Sequence, residues 1–123
     1  MDKAIRRPEF ARLIAACTYG NIRFMNKDVI IAKLHNHRAE LTRLGVDSLA
    51  LFGSIARGDA GRHADIDLAV VYNDATVRDL IDMGGIAAAI EEALGTGHFD
   101  LANERQLRPH IRENFLKEHV RIF

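Results

Sequence analysis

Leu51-Phe52-Gly53-Ser54-Ile55-Ala56-Arg57-Gly58, with Asp65-Ile66-Asp67-Leu68 shortly after it, is the stretch on which the reading of this chain turns. The run from Ser48 to Phe52 is bounded by Gly53, which suits a strand buried on both faces. Asp65 to Tyr72 reads as a second strand with Ile66, Leu68 and Val70 on one face. Between them, a glycine straight after a strand lets the backbone approach a ligand closely. A short helix opening at Ser54 would aim free N–H groups and a hydroxyl at phosphate oxygens.

Residues two apart on a strand share a face, so Asp65 and Asp67 project side by side, about 6.5–7 Å apart at Cα. Their neighbours Ile66 and Leu68 anchor the strand in the core while the paired anions face the Gly-Ser loop. Like charges so placed need a cation. Magnesium suits them, because it binds through one or two carboxylates plus substrate phosphate oxygens, singly or as a pair about 3.5–4 Å apart. Asp100, alternating with apolar neighbours in His98-Phe99-Asp100-Leu101, is placed to add a third carboxylate from an adjacent strand. Such a group can take the proton of an attacking hydroxyl.

Other phosphate-handling motifs do not fit. Gly53-x4-Gly58 has the spacing of a P-loop, but Asp59-Ala60 stands where Lys-Ser/Thr must be. No Gly-x-Gly-x-x-Gly follows a strand, and Ser54 lacks the Gly-x-Ser-x-Gly elbow of a hydrolase nucleophile.

Outward from this centre, Asn26 or Asp28 caps a helix in which Ile30, Ile31, Leu34, Leu41 and Leu44 keep a 3.6 period as far as Gly45. A further helix is expected from about Thr76 to Leu94, weakened by Gly84 and Gly85, and stopped by Gly95-Thr96-Gly97. A short strand from His98 to Ala102 follows. Then comes a helix from about Leu107 to Lys117 with Leu107, Ile111, Phe115 and Leu116 turned inward, and a last strand over Val120 to Phe123. The economical architecture is α/β (α+β): a small mixed β-sheet with helices packed on it. Near the N-terminus, Phe10, Leu13, Ile14 and Cys17 recur at helical spacing between Pro8 and Gly20. Residues 1–24 hold five basic and two acidic residues, the opposite balance to the rest, and read as an appendage to a domain over residues 25–123. Its apolar stripe is suited to pack on that domain or on a second copy of the chain, and both stay open.

The 123 residues fit one compact domain, and 17 basic residues against 17 acidic leave no general positive field to hold a duplex. Apolar runs such as Ile86 to Ile90 are far short of the roughly 20 residues of a membrane span, and no signal-peptide core is visible. A soluble, cytoplasmic protein is expected. The single cysteine, Cys17, excludes an internal disulfide or a cysteine-built zinc site. His35 and His37 do not share a helix face, and His63, His98, His110 and His119 lack ligand spacing. Arg105, Arg108 and Arg112 read as solvated charges.

Gly53-Ser54, ten intervening residues, then Asp65-Ile66-Asp67, resembles the Gly-Ser-x10-Asp-x-Asp signature of the minimal nucleotidyltransferases in the DNA polymerase beta superfamily. The likeness extends in layout from about Met25 to the C-terminus. It implies a polymerase beta-like fold and magnesium-dependent transfer of AMP from ATP to an acceptor hydroxyl, with release of pyrophosphate. By resemblance, Gly53 and Ser54 match the phosphate-binding pair, Asp65 and Asp67 the metal ligands and Asp100 the third carboxylate of the metal site. Arg57 matches a basic loop position able to pair with triphosphate oxygens. Ala64 stands where such proteins often carry Ser, and residues 1–24 lie outside the likeness. Small members of the family commonly act as antitoxins to HEPN-domain toxins, which implies a tyrosine hydroxyl of such a partner as acceptor. The alternatives are a non-catalytic nucleotide-binding partner module, or transfer to the hydroxyl of a small molecule.

Overall fold

The computed structural model describes residues 26–59 and 64–123. The helix expected around Phe10 to Cys17, and the loop residue His63, lie outside the described residues.

Asn26 caps α1 (Lys27–Asn36), its side chain accepting from the Val29 N–H at 3.0 Å. The single helix expected as far as Gly45 is instead two, because the chain breaks at His37 and resumes as α2 (Arg38–Leu44). The His37 imidazole Nδ1 lies 2.9 Å from the Lys33 carbonyl oxygen while the His37 N–H bonds Leu34 O at 3.1 Å. A side chain thus competes in the i→i−4 ladder, a recognised cause of a kink. β1 (Val46–Phe52) runs into the one-and-a-half-turn α3 (Gly53–Arg57), and β2 (Ile66–Tyr72) follows. Asn73 then accepts from Ala75, Thr76 and Val77, forming a turn where helix was expected from Thr76. α4 (Leu80–Leu94) starts only after Asp79, whose carboxylate caps the Asp82 N–H at 2.9 Å. β3 (Phe99–Asn103), a 3₁₀ turn (Glu104–Gln106), α5 (Pro109–Glu118) and β4 (Val120–Arg121) complete the described chain.

The four strands lie in the order β3-β2-β1-β4, with β1 antiparallel to both neighbours and β2 parallel to β3. The parallel pair requires a crossover, which α4 supplies. The two faces of the sheet are unequal. On one, Leu49, Leu51, Leu68 and Val70 are fully buried against Ile30, Leu34 and Leu41 from the first two helices and Ile86, Ile90 and Leu94 from α4. Each such side chain contributes about 1.5–3 kcal/mol relative to exposure. On the other face a thin layer of Ala50 and Ala69 is covered by Phe115 of α5, with Phe52 and Leu107 packed beside them. Leu116, expected to face inward, is 62% exposed, since α5 turns a single narrow stripe centred on Phe115 toward the sheet.

Candidate active site

The thin face ends at the C-terminal edge of β1, and there the sequence motif collects. The ladder pairs Phe52 with Asp67 and Asp67 with Asp100, so both carboxylates stand on neighbouring strands in the row one step beyond Ala50-Ala69-Ala102. Alternation puts Ile66 and Leu68 into the thick core and Asp67 on the opposite face. Asp65 immediately precedes β2 and is exposed, so it belongs to the approach to the strand rather than to its ladder.

Asp67 is the carboxylate that its surroundings disturb. Partial burial pushes the Asp67 carboxyl above the usual carboxylate range, the negative charges of Asp100 and then Asp65 push it the same way, and Arg57 opposes them. The oxygen-only donor set and the surplus of negative charge fit a hard divalent cation. The aspartates are neighbours rather than a closed cage. Among the described residues no three His, Cys, Asp or Glu side chains enclose a metal position by themselves.

Gly53 leaves β1 with φ +80° and opens α3. A Cβ there would run into the Asp67 carboxylate, reaching its Oδ2 and lying 3.1 Å from its Cγ. The glycine therefore does two things at once: it permits the turn, and it leaves the space that Asp67 occupies. Ser54, half-buried, follows in the first turn, and its carbonyl accepts from the Gly58 and Asp59 N–H groups at 3.0 and 3.1 Å, closing the short helix on itself. Ala64, in the position where Ser was noted as frequent, packs against the main core.

Arg57 is engaged by two anions. Its Nε donates to Asp59 Oδ2 at 3.0 Å and its Nη1 to Glu118 Oε2 at 2.7 Å. The Glu118 bond, then that to Asp59, raise its pKa further, so the guanidinium is a permanent charge. Glu118 lies 61 residues away at the end of α5 and escapes sequence reading; Asp59 is visible two residues on. The same end of α5 reaches the loop a second way: the Phe115 ring meets Phe52, the residue before Gly53, edge to face at 5.5 Å, and stacks on His119 at 4.4 Å. The structure thus brings Asp67 and Asp100 into direct register and sets Gly53 against the Asp67 carboxylate, with Asp65 and Arg57 within electrostatic reach of Asp67.

Comparison with known proteins agrees with this geometry. The family model described as nucleotidyltransferase domain matches residues 34–122. A solved minimal nucleotidyltransferase is 32% identical, with a TM-score of 0.64, over 78% of this chain and 95% of its own. A toxin–antitoxin structure with AMP-PNP is 25% identical, TM-score 0.54, over 72% of each chain. A variant of the toxin–antitoxin MntA-HpeT is 25% identical, TM-score 0.52, over 72% of this chain and 70% of that one. No curated protein matches the chain. Among the described residues no helix is long and apolar enough to cross a membrane. With this fold, this loop and this row of carboxylates, the chain belongs to the nucleotidyltransferase domain family and is a transferase built on the minimal nucleotidyltransferase fold.

Proposed function

We propose that this protein transfers AMP from ATP to a hydroxyl group, a tyrosine of a HEPN-domain toxin, and so acts as that toxin's antitoxin in the cytoplasm. The observation that carries the reading is the pair Asp67 and Asp100 in register on neighbouring strands, with Gly53 against the Asp67 carboxylate and Arg57 nearby. The Gly53-Ser54 turn is assigned to the triphosphate, with Arg57 pairing to its oxygens after exchanging Glu118 or Asp59 for phosphate. Asp65, Asp67 and Asp100 would hold magnesium, which supplies neutralisation of phosphate charge when bound. The acceptor oxygen forms a bond to the α-phosphorus as the bond to pyrophosphate breaks, and the hydroxyl proton passes to Asp100. Catalysis of this kind rests on positioning and on fixed charge rather than on covalent chemistry by the protein. The likeness to toxin–antitoxin structures, one of them with AMP-PNP, supports both the nucleotide and the kind of partner. The domain proper is assigned to residues 25–123, with residues 1–24 as an appendage.

The test is to incubate the protein with ATP, magnesium and the HEPN protein encoded beside it, and to weigh the partner by intact mass spectrometry. Gain of one or more adenylyl units on a tyrosine, abolished by Asp67→Asn, is the expected result. An unmodified partner alongside adenylylation of a small-molecule hydroxyl would overturn the antitoxin reading and keep the transferase; no modification with any nucleoside triphosphate would favour the non-catalytic module.

A further inference from the structure

The two carboxylates that hold Arg57 differ in what fixes them. Asp59 belongs to the loop itself, two residues on from Arg57, and its side chain is 61% exposed. Its bond to Nε, at 3.0 Å, lies in water that screens it, and such pairs contribute little. Glu118 comes from the end of α5, is only 21% exposed and accepts from Nη1 at the shorter distance of 2.7 Å. The two carboxylates use different nitrogens of the guanidinium, so one can leave while the other holds.

Glu118 is fixed from behind. Phe115, three residues earlier and so on the same face of α5, is buried over Ala50 and Ala69 and meets the Phe52 ring at 5.5 Å. His119, the next residue after Glu118, stacks on that same Phe115 ring, and its Nδ1 lies 2.8 Å from the Phe115 carbonyl oxygen. The end of the helix is thus pinned beside the strand that leads into Gly53. A carboxylate there also stands at the negative end of α5, where the helix by itself disfavours it, and Arg57 supplies the compensating charge. Asp59 has no such anchor among the described residues: its N–H bonds the Ser54 carbonyl at 3.1 Å, but its carboxylate reaches back to Arg57 alone.

We propose that Asp59 and Glu118 divide the control of Arg57: Glu118 is a positioning residue that keeps the guanidinium turned onto the Gly53–Gly58 loop with or without nucleotide, and Asp59 is a built-in competitor that occupies Nε until a triphosphate oxygen replaces it. The inference rests on the assignment of the Gly53-Ser54 turn to the triphosphate. A phosphate group carries more charge than one carboxylate, so it displaces a partner screened by solvent more readily than one held on a packed helix. Charge alone gives a different expectation, since the loss of either carboxylate would make the loop more attractive to ATP.

Titration calorimetry of the full chain with ATP and magnesium, in the absence of any acceptor, separates these. Asp59→Ala should tighten binding about two- to fivefold, as expected for release of a screened ion pair. Glu118→Ala should weaken binding about fivefold or more. Glu118→Gln keeps an acceptor oxygen for Nη1 without the charge, and should bring the affinity back to within about twofold of the parent. In an Arg57→Ala background all three effects should vanish, because each acts through the guanidinium. Tighter binding in Glu118→Ala, or equal affinities in its Ala and Gln variants, would overturn the positioning role. An unchanged affinity in Asp59→Ala, or a gain that persists without Arg57, would overturn the competitor. A parent chain that does not bind ATP at all would overturn the triphosphate assignment itself, a result distinct from a parent that binds and variants that shift the wrong way.

Discussion

Replacing Gly53 by alanine tests whether the loop and the carboxylate row form one device. Two penalties are expected. An L-residue held at φ +80° costs about 1–2 kcal/mol. In addition, the new methyl group would occupy the position of the Asp67 carboxylate, and forcing an extra group into filled space costs about 1–3 kcal/mol. Gly58→Ala separates the two, because Gly58 has nearly the same φ, +84°, but a Cβ there meets nothing within 4 Å. Gly58→Ala should therefore lose about 1–2 kcal/mol and Gly53→Ala about 2–5 kcal/mol, the difference being the contact with Asp67. At roughly 4 °C per kcal/mol for a domain of this size, the melting temperature should fall by about 4–8 °C in the first and about 8–20 °C in the second. Thermal unfolding by circular dichroism reads this directly. The same measurement in an Asp67→Ala background should bring the cost of Gly53→Ala down toward that of Gly58→Ala, the coupling expected of two groups in contact. Calorimetric titration with ATP and magnesium should show binding weakened in Gly53→Ala and preserved within a fewfold in Gly58→Ala. Equal destabilisation of the two variants, with nucleotide binding unchanged in both, would refute the clearance argument.

Asp67 ionises against burial and two like charges, so its folded pKa lies above its unfolded one, and stability should decrease as pH rises from the ordinary carboxylate range through the raised value. Asp67→Asn should flatten that dependence and raise the melting temperature at neutral pH while abolishing transfer, which chemical denaturation at several pH values and a transfer assay would show together. Asp100→Asn should leave ATP affinity within a fewfold and lower the transfer rate by about 10² or more; unchanged turnover would mean that another group takes the proton. Phe115→Ala removes the ring that covers Ala50 and Ala69 and braces Phe52, and should cost about 3–5 kcal/mol by denaturant titration. A chain starting at Met25 should keep its circular dichroism spectrum and unfold cooperatively, and loss of cooperativity would place the Phe10, Leu13, Ile14 stripe in the core.

Much of the site could be read before any coordinates, because it is local. The order strand, Gly-Ser turn, strand with Asp-x-Asp rests on period-two alternation and on one glycine, both of which are properties of adjacent residues. Ile66, Leu68 and Val70 duly bury on one face and leave Asp67 on the other. The helix boundaries were less legible for the same reason turned round. The break at His37 comes from a side chain bonding a carbonyl four residues back, and the late start of α4 from Asn73 gathering three amides, and neither alters the hydrophobic period. Leu116 satisfies that period and still faces solvent, since a two-layer face capped by a single ring has no room for a second large side chain.

The sequence by itself determined the order of the strands and the place of the Gly-Ser turn and the Asp-x-Asp pair between and on them, since each is specified within a span of a dozen residues. Only the tertiary structure decided that Asp100 stands directly beside Asp67, that the Asp67 carboxylate fills the space a side chain on Gly53 would need, and that Arg57 is held by Glu118 from the far end of the chain. Those facts depend on strand register and on which helix covers which face, and these are settled by packing the whole core at once, through contacts between residues that have no proximity along the chain.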